Sequence, residues 1–220
     1  MSGRRALVVQ GGWEGHAPAE AVDLFVPFLR EHFDDVAVES SLEVYADPDI
    51  MAATDLVLQC WTMGDILADE LRGLRDAVAA GTGFAGWHGG VVDSFRIATD
   101  YLQLVGGQFV AHERGIVDHV VEVVPERADH PVVTGVSRFA LRSEQYWVLT
   151  DPLNDVLATT TITPQEGDAW HEPVVCPAVW TRRWGAGRVF VATPGHQLAD
   201  LEIPELRTVL ERGLLWAARG

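Results

Sequence analysis

The residues best suited to chemistry surround a histidine in a glycine-rich turn. Gly86-Trp87-His88-Gly89-Gly90 has the pattern G-x-H-x-G and directly follows an apolar run. This is the pattern of a nucleophile elbow, a sharp strand-to-helix turn that lifts its central side chain at the carboxyl edge of a sheet. Histidine is a poor acyl nucleophile, so a histidine at the centre of the elbow argues against amide-cleaving reactions such as glutamine hydrolysis. If His88 begins a helix, the helix dipole favours a neutral ring, which suits a metal ligand or a general base.

Other histidines also follow predicted strands. His16 comes shortly after the first strand, His112 ends a segment that begins with Gly106-Gly107, and His196 ends Thr193-Pro194-Gly195-His196. Because parallel strands end at the same edge of a sheet, we expect several of these imidazoles to share one polar site. Neutral imidazole is a zinc ligand. The candidate ligands of a divalent metal, with zinc as the example, are His16, His88, His112 and His196.

Aromatic residues accompany these histidines. Trp13, Trp61 and Trp87 lie at or just beyond strand ends and are candidates for binding substrate. Aromatic rings at a cleft rim suit sugar faces as well as they suit packing, so both roles stay open. The remaining histidines have structural interpretations: a helix end for His32, a sheet face for His119, a turn for His130 and the surface for His171.

The elements that position these residues alternate between strand and helix in the first half of the chain. Short apolar runs predict strands, and apolar residues at helical spacing predict helices. The strands are residues 6–10, 36–39, 55–60 and 83–87, and the helices cover residues 21–29 and 67–78. Such alternation favours a three-layer, doubly wound α/β fold with a mostly parallel sheet.

The second half of the chain has mostly strand-like segments. Strand-like runs separated by proline and glycine turns are expected to extend the sheet with antiparallel strands: residues 116–124, 139–142, 146–149, 155–161 and 174–181. Gly185-Ala186-Gly187 predicts a tight hairpin, and apolar residues over 206–217 predict a closing amphipathic helix. We expect one domain over residues 1–220.

Composition excludes several classes of partner. The chain of 220 residues has 32 acidic and 16 basic residues, a net charge of −16. That charge repels nucleic acid and anionic membrane surfaces. The sequence has no signal-peptide pattern and no apolar run of about 18 residues, and Cys60 and Cys176 have no metal or redox spacing. We therefore expect a cytoplasmic protein, with a homo-oligomer left open.

An ordered series of motifs resembles the ThuA-like family, the trehalose-utilisation proteins of bacteria. The matching segments are residues 81–89, 106–112, 130–136, 144–146, 177–181, 185–190, 195–196 and 213–217. The resemblance implies a class I glutamine-amidotransferase-like, flavodoxin-like fold and a role in the catabolism of trehalose or another disaccharide. It also implies site roles for His88, His112, Glu144, Tyr146 and His196, with Tyr146 as a substrate-binding candidate.

Three functions remain open at this point. The first is an enzyme acting on a sugar or keto-sugar, with His88, Glu144 and His196 as catalytic candidates. In it, His88 or Glu144 removes a proton next to a carbonyl, while another histidine or a metal polarises the oxygen. The second is a non-catalytic carbohydrate-binding or regulatory module. The third is a zinc-dependent hydrolase.

Overall fold

The computed structural model describes residues 3–220. Met1 and Ser2, on which the expectation about a signal peptide partly depends, lie outside the described residues. The strands are β1 Arg5–Gly12, β2 Asp35–Glu39, β3 Leu56–Thr62, β4 Gly83–Trp87, β5 Gly107–Ala111, β6 Ile116–Val123, β7 Arg138–Glu144, β8 Trp147–Thr150, β9 Asp155–Ile162, β10 Val174–Trp184 and β11 Gly187–Ala192. The helices are α1 Pro18–Asp23, α2 Val26–His32, α3 Pro48–Ala53, α4 Ala68–Ala80, α5 Gly89–Val92, α6 Thr99–Val105, α7 Leu198–Leu201 and α8 Pro204–Ala217.

Nine strands form the main sheet in the order β2-β1-β3-β4-β11-β10-β9-β6-β7. The first five strands in this order are parallel. Alternate residues of β1 enter two separate cores: Ala6 and Val8 join one, and Leu7 and Val9 join the other. Helices α1, α2 and α8 cover the first core, while α4 and α6 cover the second. The predicted three-layer, doubly wound fold is confirmed.

Antiparallel strands extend the sheet beyond β11, as the second half of the sequence predicts. Strands β10 and β11 form the predicted hairpin, in which Trp184 pairs with Gly187. The alternating directions make β7, at the far edge, run parallel to β1 and β4. Its last residue, Glu144, therefore lies at the same edge of the sheet as the end of β4.

One predicted strand has a different partner. Residues 146–149 were expected to extend the main sheet, but β8 pairs with β5 in a separate two-stranded sheet. A side chain on Gly107 would come within 2.7 Å of the Trp180 ring, so β5 lies across the face of β10 rather than beside its edge. The expectation was wrong because alternation identifies a strand but not its neighbour.

The first predicted helix is divided in two. Apolar spacing predicts one helix over residues 21–29, whereas α1 ends at Asp23 and α2 begins at Val26. Pro27 is in the first turn of α2, where its missing N–H costs no helical hydrogen bond, although it would interrupt a continuous helix. Within residues 3–220, no helix is long and apolar enough to cross a membrane.

Candidate functional site

His88 occupies a strained turn between β4 and α5. Its φ of 50° and ψ of −144° are rare for a residue with a side chain. A Cβ on Gly86 would lie 2.6 Å from the Gln59 carbonyl oxygen, and one on Gly90 would lie 2.9 Å from Cys60 Cα. The His88 amide donates to the Ala192 carbonyl oxygen at 2.7 Å. The glycines thus allow the turn that their spacing predicts.

Three imidazoles and one carboxylate converge at this edge of the sheet. His16, His88, Glu144 and His196 each offer a ligand atom, and these atoms all lie within 4.8 Å of one another. The ring centre of His16 is 4.8 Å from that of His88 and 5.1 Å from that of His196. Glu144 Oε2 lies 3.2 Å from His88 Nε2 and 3.3 Å from His196 Nδ1. Four distant segments of the chain therefore form one cluster.

The histidine rings are held by oxygen atoms of neighbouring strand ends. His88 Nδ1 donates to the carbonyl oxygen of Thr193 at 2.8 Å, which leaves Nε2 facing the cluster. His16 Nδ1 lies 2.9 Å from the hydroxyl oxygen of Thr62, the last residue of β3. Partners of this kind fix the orientation of a ligating imidazole. Sequence reasoning missed both partners: Thr62 is a hydroxyl residue at the end of a strand and could have been found there, whereas Thr193 acts through its backbone carbonyl, which its residue type does not reveal.

Burial keeps the rings neutral. It lowers the pKa of His88, and it lowers the pKa of His16 to about 3, with the nearby His88 and His196 rings adding to the effect. Because α5 has only four residues, the helix dipole invoked for His88 is a minor influence beside burial. Burial alone would raise the pKa of Glu144, but the ring nitrogens of His196 and His88 hold it well below its usual range. The cluster therefore combines an ionised Glu144 carboxylate with the neutral rings of His16 and His88.

This charge distribution fits a divalent cation. The Glu144 side chain is only 11% exposed. His196 Nδ1 is buried and, among the described residues, makes no hydrogen bond despite its approach to Glu144. A largely buried carboxylate with no Lys or Arg beside it in residues 3–220, next to a ring nitrogen without a hydrogen bond, favours a bound positive charge. Three imidazoles and a carboxylate are a donor set suited to zinc.

Two further predicted site residues flank the cluster. His112 Nε2 lies 3.4 Å from Oε1 of Glu144, whereas His88 and His196 approach Oε2. His112 is not one of the four converging groups. Its side chain is 39% exposed. Tyr146 is buried, stacks on His88 with ring centres 4.1 Å apart, and has its hydroxyl 2.7 Å from Nε2. Burial raises the pKa of Tyr146 well above its ordinary value, so the phenol stays protonated beside this nitrogen.

The three tryptophans have different positions. Trp13 is 46% exposed and contacts His16 edge to face, with ring centres 4.8 Å apart. Trp61 is half-buried and packs against Gly11. Trp87 is buried in the core against Phe25, because successive strand residues face opposite sides of the sheet. Trp13 and Trp61 are therefore accessible to a ligand at the edge, whereas Trp87 is not.

The other histidines lie apart from the cluster. His32 lies at the end of α2, His119 on the sheet, His130 in a turn and His171 in an exposed loop. His32 Nδ1 contacts the carbonyl oxygen of Phe28 in its own helix, and the His130 ring packs on Trp216. These positions agree with the structural interpretations of the sequence.

The fold defines a doubly wound α/β protein whose carboxyl edge bears three imidazoles and a carboxylate. The chain belongs to the ThuA family, described as trehalose utilisation, whose model matches residues 5–217. No curated protein matches it significantly.

Solved structures share the fold at low sequence identity. A ThuA-like protein from Bacteroides uniformis superposes with a TM-score of 0.75 at 16% identity, covering 96% of this chain and 89% of that one. One from Parabacteroides merdae gives 0.75 at 16% identity, covering 98% and 90%. A cytoplasmic protein from Salmonella typhimurium gives 0.67 at 15% identity, covering 98% and 100%. At these identities, the likeness shows the fold alone.

Proposed function

We propose that this protein is a cytoplasmic, divalent-metal-dependent enzyme that removes a proton next to the carbonyl group of a keto-sugar. The observation that supports it best is the ionised Glu144 carboxylate within 3.3 Å of the His88 and His196 rings at the carboxyl edge of the sheet. Family membership in trehalose utilisation supports a disaccharide-derived substrate. Isomerisation or elimination would follow from the same first step.

The roles of the side chains follow from their contacts. His16, His88 and His196 would hold the metal, of which zinc is the candidate, through their converging ring nitrogens, and burial lowers the pKa of His16 and of His88. A metal bound there would act as a Lewis acid that polarises a carbonyl oxygen. Glu144 is ionised and would accept the proton, although its lowered pKa makes it a weaker base than an ordinary glutamate. His112, beside the other carboxylate oxygen and partly exposed, would pass that proton to solvent.

Substrate contact would come from the accessible aromatic residues. Trp13 presents an exposed ring beside His16, and Trp61 has a buried indole N–H with no partner among the described residues. A ring face can cover the apolar face of a sugar, and an indole N–H can donate to a sugar hydroxyl. Tyr146 would orient His88 rather than contact the sugar directly, because it is buried.

Deuterium exchange tests this proposal directly. Zinc-loaded protein is incubated with a keto-disaccharide in D₂O, and loss of the proton next to the carbonyl is followed by NMR. We expect exchange with wild-type protein and with His119→Ala, whose ring lies elsewhere on the sheet, but not with His88→Ala. Circular dichroism checks that His88→Ala remains folded.

The alternatives give different outcomes. Absence of exchange in the wild type, combined with calorimetric binding of the unmodified disaccharide, would replace the enzyme with a carbohydrate-binding module. Cleavage of a disaccharide without exchange would favour a zinc-dependent hydrolase. Exchange by His88→Ala at the wild-type rate would remove His88 from the reaction.

A further inference from the structure

Two members of the cluster, Glu144 and His196, are not fixed relative to each other by the sheet. Glu144 ends β7, the edge strand, whereas His196 follows β11. Strands β10, β9 and β6 separate these two strands in the sheet order. His88, by contrast, is bonded to residues at the end of β11, and His16 to the end of β3. Something besides the sheet must set the distance between Glu144 and His196.

A buried hydrogen-bond link connects their immediate neighbours. The Ser143 hydroxyl donates to Asp200 Oδ2 at 2.5 Å. The same oxygen accepts the backbone N–H of Gln197 at 3.0 Å. Ser143 is 0% exposed and Asp200 is 4% exposed, so both bonds are shielded from water. One carboxylate oxygen thus holds the residue before Glu144 and the residue after His196.

Apolar packing cannot replace this link. Leu201 on α7 shares a core with Phe139 and Leu141 on β7. Such contacts bring α7 and β7 together, but they are non-directional and permit sliding. Hydrogen bonds donated to a buried carboxylate have a defined direction and length. The Asp200 oxygen therefore fixes the position of the His196 loop along β7.

We propose that Asp200, acting through Ser143 and Gln197, is a positioning residue that sets the separation of Glu144 and His196 and thereby tunes metal affinity. This inference rests on the metal site of the proposed function. Groups that orient ligands in this way typically change metal affinity by about 10- to 100-fold when removed.

Zinc affinity provides the test, measured by competition with a chromophoric chelator at pH 7.5. Ser143→Ala removes the bond between Asp200 and β7 but leaves the Gln197 contact. We expect its zinc Kd to rise by about tenfold or more. Asp200→Asn retains an acceptor oxygen and should recover much of the affinity lost in Asp200→Ala. It also serves as the second variant if Ser143→Ala does not fold.

The matched control is Thr82→Ala. Thr82 is equally buried, and its hydroxyl donates to the Thr54 carbonyl oxygen at 3.0 Å, but it precedes β4 at the opposite end of the sheet. A similar loss of thermal stability with unchanged zinc Kd is expected for this variant. Equal zinc affinities for Ser143→Ala and Thr82→Ala would overturn the positioning role.

A second readout separates the two proposals. If the wild type binds no zinc, the metal site is wrong, and the link is then judged by hydrogen exchange of residues 193–201. Faster exchange in Ser143→Ala than in Thr82→Ala supports the link in that case. Equal exchange in both variants refutes it.

Discussion

Replacing Glu144 with glutamine separates its two proposed contributions. Glutamine has nearly the same shape and retains one acceptor oxygen, but it has no charge and cannot accept a proton as a carboxylate does. The substitution therefore removes the general base while leaving the three imidazoles in place. We expect turnover and zinc binding to respond by different amounts.

The distances set the expected magnitudes. Loss of a general base costs about 10²- to 10⁴-fold in turnover. For zinc, a divalent ion and a carboxylate about 4 Å apart attract by about 8 kcal/mol at an effective dielectric constant of about 20. The carboxylate also incurs a desolvation cost when buried, and the amide oxygen retains part of the attraction. We therefore expect a net loss of about 1.4 kcal/mol, which is a tenfold rise in zinc Kd.

The assay pairs deuterium exchange of a keto-disaccharide with chelator competition for zinc. Exchange is measured at saturating zinc, so that weaker metal binding does not contribute. Glu122→Gln is the control, because Glu122 is an exposed carboxylate on β6. Wild-type exchange rates in Glu144→Gln would refute the role of Glu144 as base. An unchanged zinc Kd would show that its carboxylate does not act on the metal.

Three further predictions concern pH, packing and substrate contact. In the metal-free protein the pKa of His16 is about 3 against 6.5 in the unfolded chain, so the unfolded state takes up a proton first as the pH falls below 6.5. The free energy of unfolding should therefore decrease from pH 6.5 towards pH 3 by about 2 kcal/mol, after allowing for partial exposure, and by less in His16→Gln. Urea denaturation at each pH measures this, and an equal decrease in both proteins would contradict the prediction. Gly86→Ala should lower stability by about 2 kcal/mol, or about 4–8 °C in Tm, because its Cβ would meet the Gln59 carbonyl oxygen at 2.6 Å; an unchanged melting curve would show that the turn can relax. Trp13→Ala should raise KM for the keto-sugar by about tenfold, the loss of roughly 1.4 kcal/mol of ring contact, with zinc Kd unchanged, and a fall in kcat alone would exclude a binding role.

Local signals predicted much of the fold. Residues 83–87 form β4 as expected, because a short apolar run bounded by glycines is typical of a buried strand. Gly185-Ala186-Gly187 makes the expected hairpin between β10 and β11. Pairing between strands is a longer-range property. The alternation in residues 146–149 did not show that β8 would pair with β5 across the face of β10.

The site was predictable to a similar extent. His16, His88 and His196 lie together because they follow β1, β4 and β11, which are parallel members of one sheet. Their roles as ligands or catalysts remain predictions. Glu144 belongs to the far edge strand, so its approach depends on contacts with α7 that no local motif encodes. Trp87 also shows a limit, because the residue before the elbow points into the core rather than to the edge.

The wide spacing of the cluster along the chain has a consequence for folding. His16 and His196 come from opposite ends of the sequence, and Glu144 reaches them only when the last strand of the sheet order is in place. Loop-closure entropy makes such distant contacts late to form. A chain still emerging from the ribosome, complete through β10, would lack His196 and so could not assemble the four-residue cluster. The cluster is consequently a marker of the finished fold and does not act as a nucleus for it.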